Sequence, residues 1–136
     1  MTHPPLSNLR VAVHASGVAA AYAGRMLGGM GAEVVVVEPE GGTPLRREPP
    51  FLPGDGQVSA LFAYLTAGAS SQTCELTTET GQAALQALLS QCDVFIDDTS
   101  LNQRAALSLD DAAIASRHPG LIHVSVLPFG AVGEKA

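Results

Sequence analysis

Short apolar runs alternate along the chain with longer stretches in which apolar residues recur at helical spacing. Short apolar runs are typical of buried strands, and a repeat of about 3.6 residues is typical of helices. The predicted strands are 11–14, 34–38, 73–76, 94–96 and 121–127. The predicted helices are 18–30, 58–66, 80–91 and 109–116. This alternation predicts an α/β fold: a Rossmann-like open sheet, mainly parallel, with helices on both faces.

One segment breaks the alternation. Residues 39–56 hold five prolines and four glycines, which predicts a long loop of functional importance or one held by a partner. Residues 1–136 otherwise form a single predicted domain. The sequence stops in a glycine-containing turn at 128–133, directly after the last predicted strand. We therefore expect the chain to be a fragment of a longer protein.

Composition and charge exclude several classes of function. Hydrophobic residues make up 46% of the chain and charged residues 15%, which is typical of a folded domain. The formal net charge is −6, and Lys135 is the one lysine. We therefore expect no nucleic-acid partner and no membrane partner, because both need basic patches. The start of the chain lacks the features of a signal peptide, and the alanine-rich, lysine-poor composition suggests a cytoplasmic bacterial protein.

Metal chemistry is not predicted. The four histidines, at positions 3, 14, 118 and 123, have no ligand spacing. Cys74 and Cys92 lie too far apart for a redox or zinc motif, and they are expected to be small buried residues. His123 is expected to be a buried histidine of the sheet.

In an open parallel sheet, ligands bind beyond the carboxyl ends of the strands. The segments expected at that edge are 15–18, 39–47, 97–102 and 128–133. Ser16 is a candidate cap for the first helix. Asp97 and Asp98 could bind a metal or carry out acid–base chemistry, but the favoured interpretation is a solvated loop and a helix cap.

The first strand–helix–strand unit carries part of a dinucleotide fingerprint. Its turn reads Ala15-x-Gly17-x-x-Ala20, and Glu38 ends the second strand about 20 residues later. One alternative is therefore a domain that binds NAD or a flavin nucleotide, with Glu38 on a ribose hydroxyl. The other is that Gly17 merely opens a tight turn.

A series of segments in fixed order resembles a known family. They are LRV (9–11), YAGRML (22–27), GAEV (31–34), VEP (37–39), GGTPLR (41–46), TETG (78–81), CDVFID (92–97), HPGLIHVS (118–125) and FGAVG (129–133). Together they are similar to the N-terminal part of the class III CoA-transferases (the CaiB/BaiF family), which include formyl-CoA transferase and α-methylacyl-CoA racemase.

The resemblance implies coenzyme A or an acyl-CoA as substrate, no metal, and a partner: the remainder of the enzyme or another chain, in a homodimer or heteromer. The family's acyl-accepting aspartate lies beyond the matched segments. No catalytic residue is therefore expected in this chain, and the isolated chain is expected to have no turnover. The implied CoA-binding residues are Ser16, Val18, Ala19, Arg46, Cys74, Asp98, Thr99 and Ser100.

Some positions depart from the family pattern and support an alternative. The family's cationic turn corresponds to 66–71, which has no charge, and its asparagine–phenylalanine–arginine loop corresponds to Asp98, Thr99 and Ser100. Phosphate groups need arginine, lysine or backbone donors. The alternative is a non-catalytic structural or interaction domain of the same ancestry, with an exposed apolar surface where a partner packs.

Overall fold

The computed structural model describes residues 3–54 and 56–135 and contains a five-stranded sheet. The strands are β1 (Arg10–His14), β2 (Glu33–Glu38), β3 (Ser70–Thr73), β4 (Val94–Asp97) and β5 (Ile122–Ser125). The α-helices are α1 (Val18–Gly29), α2 (Ala60–Leu65), α3 (Glu79–Leu89), α4 (Leu101–Arg104) and α5 (Asp111–Arg117). All four strand pairings are parallel, so the predicted α/β class is confirmed.

The strand order is β3-β2-β1-β4-β5. The chain first builds outward from β1 through β2 to β3, and then returns to place β4 on the other side of β1. A crevice forms at such a reversal, because the loops that leave β1 and β4 turn to opposite sides. The carboxyl ends of β1 and β4 therefore mark the expected site.

Two apolar cores lie on opposite faces of the sheet. Along β1, Val11 and Val13 face one core and Ala12 faces the other, as the two-residue repeat of a strand requires. The first core contains residues of α1 and α2, and the second contains residues of α3 and α5. Helices therefore cover both faces.

Small residues bring α1 close to the sheet. Its buried positions are Ala20, Ala21 and Gly24. A Cβ at Gly24 would lie 2.7 Å from the Cγ2 atom of Val13, so a larger side chain there would push the helix away. This close approach places the first turn of α1 directly at the carboxyl end of β1.

Two elements differ from the prediction. β3 spans Ser70–Thr73 instead of 73–76, because the buried Cys74 and Leu76 follow the strand and supplied the apolar signal. The strand itself is polar, as a short edge strand can be. The four-residue helix α4 was not predicted, since it is shorter than any periodic pattern.

The predicted loop contains local structure. Pro44–Arg47 forms a 3-10 helix whose Leu45 is buried, and Phe51 makes an antiparallel bridge with Ser59. Ser59 also caps α2, since its side chain accepts a hydrogen bond from the Phe62 N–H. Among the described residues, the helices lack the combination of length and apolar character needed to cross a membrane.

Candidate functional site

The loops after β1, β2 and β4 meet at the carboxyl edge of the sheet. The Asp98 N–H donates to the His14 carbonyl (3.3 Å). The Thr43 hydroxyl, in the loop after β2, donates to the Ala15 carbonyl (2.7 Å). Three of the segments expected at this edge therefore contact one another.

Asp98 binds the turn before α1, formed by Ser16 and Gly17. Its carboxylate accepts hydrogen bonds from the Ser16 N–H (2.9 Å), the Gly17 N–H (2.7 Å) and the Ser16 hydroxyl (3.1 Å). The N-cap residue is Gly17, which has no side chain to offer. The prediction that Ser16 caps α1 was therefore wrong: Gly17 occupies the N-cap position, and the Ser16 hydroxyl instead donates to Asp98.

The implied CoA-binding residues divide into three places. Ser16, Val18 and Ala19 lie exposed at the start of α1. Asp98, Thr99 and Ser100 follow β4, and Asp98 contacts the first group by accepting a hydrogen bond from the Ser16 N–H. Thr99 is buried and Ser100 is exposed. Arg46 lies beyond β2. Cys74 is 1% exposed in the core that contains α3, and this burial raises the pKa of its thiol.

Glu38 and Arg46 form a tight pair at the end of β2. The Arg46 Nε and Nη2 atoms donate to the two carboxylate oxygens of Glu38 at 2.6 and 2.7 Å. The Thr43 N–H and the Ser71 hydroxyl also donate to that carboxylate. The hydrogen bond with Arg46, helped by those from Ser71 and Thr43, lowers the pKa of Glu38 to about 2 against the opposing effect of burial.

The arginine of this pair stays accessible. The Arg46 side chain is 44% exposed, and its guanidinium lies over the Phe62 ring, 4.2 Å from the centroid. It borders an open, polar pocket of about 310 Å³, lined also by Glu38, Gly42 and Ser71 among others. A Cβ at Gly42, whose φ is +86°, would lie 2.5 Å from the Arg46 Cδ, so glycine is required for this arrangement.

A second, buried network lies after β4. Asp97 is fully buried and contacts the Arg104 guanidinium (3.2 Å) and the His123 Nε2 atom (2.5 Å). Arg104 also donates to Asp111 and Ser125. The favoured prediction of a solvated loop and a helix cap was therefore wrong for Asp97, which is buried. Asp98 is half-buried and caps neither neighbouring helix, since the N-cap residues are Gly17 for α1 and Ser100 for α4.

The same network fixes the backbone of Thr99. The Thr99 N–H donates to Asp97 (2.9 Å), and the Arg104 Nε donates to the Thr99 carbonyl (3.0 Å). The Thr99 hydroxyl lies 3.3 Å from the His14 Nδ1 atom. Burial lowers the pKa of His14, although Asp97 and Asp98 act in the opposite direction.

Sequence reasoning missed Arg104 and Asp111 as members of this network. The available signal was weak: an arginine in a segment without a predicted element, and an aspartate in a predicted first helical turn. His123 lies in β5 and stacks on the Phe95 ring with centroids 5.1 Å apart. Within residues 3–54 and 56–135, no group of three histidine, cysteine or acidic side chains is placed to hold a metal.

Comparisons with known proteins point to one family. A family profile described as CoA-transferase family III matches residues 6–136. The succinate–glutarate CoA-transferase of Agrobacterium fabrum is 38% identical, over 98% of this chain and 34% of its own length. The BbsE subunit of the succinyl-CoA:(R)-benzylsuccinate CoA-transferase of Thauera aromatica is 31% identical, over 96% and 32%.

A solved structure agrees with these sequences. The crystal structure of Rv3272 from Mycobacterium tuberculosis superposes with a TM-score of 0.88 and 30% identity, over 99% of this chain and 38% of that one. The chain thus spans about a third of the length of the curated relatives it matches. The profile match and the relatives together show that the chain belongs to CoA-transferase family III.

Proposed function

We propose that this chain helps to bind coenzyme A or an acyl-CoA within a cytoplasmic bacterial CoA-transferase. The observation that carries the proposal is the position of Arg46. Its guanidinium is held by Glu38 and half-exposed beside an open polar pocket at the carboxyl edge. CoA is a polyanion, and arginine is the side chain best suited to phosphate oxygens.

The chain alone is expected not to transfer CoA. The class III resemblance places the acyl-accepting aspartate beyond the matched segments. The two aspartates at the edge of this sheet are already engaged, Asp97 in the buried network and Asp98 at the start of α1. Transfer of CoA between two carboxylic acids by these 136 residues alone would overturn this expectation.

A thermal-shift titration with CoA tests the binding. A ligand at 100 times its Kd stabilises a protein by roughly 2.7 kcal/mol, which raises the Tm of a domain of this size by several degrees. We expect a saturable shift with CoA and none with NAD. Arg46→Met should abolish most of the shift, whereas Arg47→Met, which changes the neighbouring exposed arginine, should preserve it.

Other outcomes favour other functions. A shift with NAD alone would overturn the CoA proposal in favour of a dinucleotide-binding domain. No shift with either ligand would favour the structural or interaction domain. A CoA shift that Arg46→Met leaves intact would retain CoA binding but remove Arg46 from it.

An exposed apolar face favours a partner in addition. Ile122 and Val124 of β5 pair in register with Val94 and Ile96 of β4 and therefore share their face of the sheet. Val94 and Ile96 are buried in the α1 core, yet Ile122 is 62% exposed and Val124 is 40% exposed. The first core is thus uncovered where it reaches β5.

We assign this face to the part of the family's polypeptide that the chain does not match. The curated relatives are about three times as long as the aligned region, and one of them is named as a subunit. An apolar segment of that unmatched part would bury Ile122 and Val124, which would stabilise the contact by about 25 cal/mol per Å² of apolar surface removed from water.

Co-expression tests this assignment. The tagged chain is produced together with the unmatched two-thirds of the Agrobacterium fabrum relative. We expect the two to co-purify, and Ile122→Asp to prevent it while Val132→Asp, at an exposed position outside the strands, does not. Failure of the parent to co-purify would overturn the assignment. So would self-association of the parent that Ile122→Asp abolishes, because the occupant would then be a second copy.

A further inference from the structure

The turn before α1, formed by Ser16 and Gly17, holds an anion supplied by the chain itself. Both carboxylate oxygens of Asp98 are within hydrogen-bond distance of the Ser16 N–H, at 2.9 and 3.0 Å, and one of them accepts from the Gly17 N–H at 2.7 Å. In nucleotide-binding sheets the diphosphate lies against the turn between the first strand and its helix, and against the start of that helix. Here the two amides of that turn, those of Ser16 and Gly17, are already engaged by Asp98.

The backbone that carries Asp98 is also held in place. Its own N–H donates to the His14 carbonyl. The next residue, Thr99, is held at its N–H by Asp97 and at its carbonyl by Arg104, both of which are buried. The backbone on either side of the Asp98 Cα is therefore fixed, and the Ser16 hydroxyl adds a further bond to the carboxylate.

The carboxylate also lies close against the turn. A Cβ at Gly17 would lie only 3.3 Å from the Asp98 Oδ2 atom, so the side chain lies close against the helix start. An incoming phosphate would have to displace a tethered carboxylate that is present at high effective concentration. It would also meet that carboxylate's negative charge at short range, in a chain whose net charge is already −6.

We propose that Asp98 is a specificity-determining residue that closes the turn before α1 to phosphate groups. The chain therefore rejects ligands whose diphosphate must sit on the amides of Ser16 and Gly17, as that of a nicotinamide or flavin dinucleotide would. This inference does not depend on whether CoA binds. Any diphosphate that the domain accepts must lie away from these two amides, and the exposed guanidinium of Arg46 is available at the same edge of the sheet.

The inference predicts a gain of binding. Inorganic pyrophosphate is titrated into the ¹⁵N-labelled chain, and the amide signals of Ser16 and Gly17 are followed by NMR. In the parent these two signals should not move. In Asp98→Ala they should move saturably, with an apparent affinity at least about tenfold higher than the parent's.

Asp93→Ala is the matched control. It removes the same charge from the opposite edge of the sheet, where the Asp93 carboxylate accepts from the Arg10 N–H (2.8 Å). We expect it to behave as the parent does, which separates closure of the turn before α1 from a general loss of negative charge.

A second variant protects the test from a folding failure. Asp98→Asn keeps the shape of the side chain and one acceptor oxygen, so it should fold and show a smaller gain than Asp98→Ala. Saturable movement of the Ser16 and Gly17 signals in the parent would overturn the proposal. The absence of any gain in a folded Asp98 variant would overturn it equally.

Discussion

Strands β2 and β4 each end in a carboxylate that pairs with an arginine further along the chain. Glu38 pairs with Arg46 eight residues later, and Asp97 pairs with Arg104 seven residues later. The two arginines nevertheless lie in different surroundings: the Arg46 side chain is 44% exposed, whereas that of Arg104 is 4% exposed.

The covering elements cause this difference. The proline- and glycine-rich loop after β2 leaves an open pocket over Arg46. After β4, by contrast, Arg104 is enclosed by contacts with Thr99, Asp111 and Ser125. An exposed guanidinium can still bind a ligand, whereas an enclosed one organises the backbone around it. Two pairs with almost the same spacing therefore have different roles.

Replacement of each arginine in turn should give the largest difference in stability between the two pairs. Arg104→Met leaves the charge of Asp97 buried without its guanidinium, and we expect a loss of about 3–5 kcal/mol in the free energy of unfolding. Arg46→Met leaves Glu38 with the Thr43 and Ser71 donors and with access to water, so we expect a loss of about 1 kcal/mol. Urea denaturation of both variants measures the difference.

A double variant tests the reason for that contrast. Asp97→Asn combined with Arg104→Met removes the unpaired charge, so it should be more stable than the sum of the two single losses predicts. Equal losses for Arg46→Met and Arg104→Met would show that burial of the guanidinium does not separate the two pairs.

Acid should weaken the ion pair of Glu38 with the exposed Arg46 in a defined range of pH. The pKa of Glu38 is about 2 in the folded chain, against 4.5 for an ordinary glutamate. The pair's contribution is complete above the unfolded pKa and is lost as the pH falls from about 4.5 towards 2. The shift corresponds to about 2 kcal/mol after allowance for screening around the half-exposed Arg46.

Glu38→Gln removes this titration. The free energy of unfolding of the variant should therefore fall less steeply than that of the parent between pH 4.5 and 2. Parallel profiles for the two proteins would show that Glu38 does not contribute to the acid dependence.

The fold was predictable from sequence because its strands differ sharply from their surroundings. The β-branched run in β2 and the apolar run in β4 mark strands buried on both faces. The polar edge strand β3 has no such signal, and the buried residues after it shifted the prediction by three positions. Short polar elements form because their neighbours hold them, and the local sequence does not show this.

The candidate site was predictable only in its location. The carboxyl ends of the predicted parallel strands placed Ser16, Arg46 and Asp98 at one edge, and the structure brings the loops that carry them together. The sequence could not show that Asp98 binds the start of α1 or that Asp97 is buried by Arg104, because each contact depends on how α4 and the loop before it fold back on the sheet. Whether the implied residues bind CoA stays a prediction.

His14 should make a smaller contribution to the pH dependence of the free energy of unfolding, and it should do so near neutral pH. Burial lowers its pKa below the ordinary value, against the attraction of Asp97 and Asp98. Below about pH 6.5 the unfolded chain therefore binds more protons than the folded one. The stability that neutral His14 preserves is complete above that pH and declines as the pH falls through it. Denaturation of His14→Gln should show a flatter profile in this range; an unchanged slope would contradict the assignment.

The smallest loss of stability is expected when the contact between Arg104 and the exposed side chain of Asp111 is weakened. The Asp111 side chain is 61% exposed and accepts from the Arg104 Nη1 atom at 2.8 Å. Asp111→Asn keeps an acceptor oxygen, and water already surrounds this carboxylate, so we expect a loss of only about 0.5 kcal/mol. A loss in urea denaturation as large as that of Arg104→Met would mean that the exposed contact with Asp111, and not the burial of the guanidinium against Asp97, makes this pair structural.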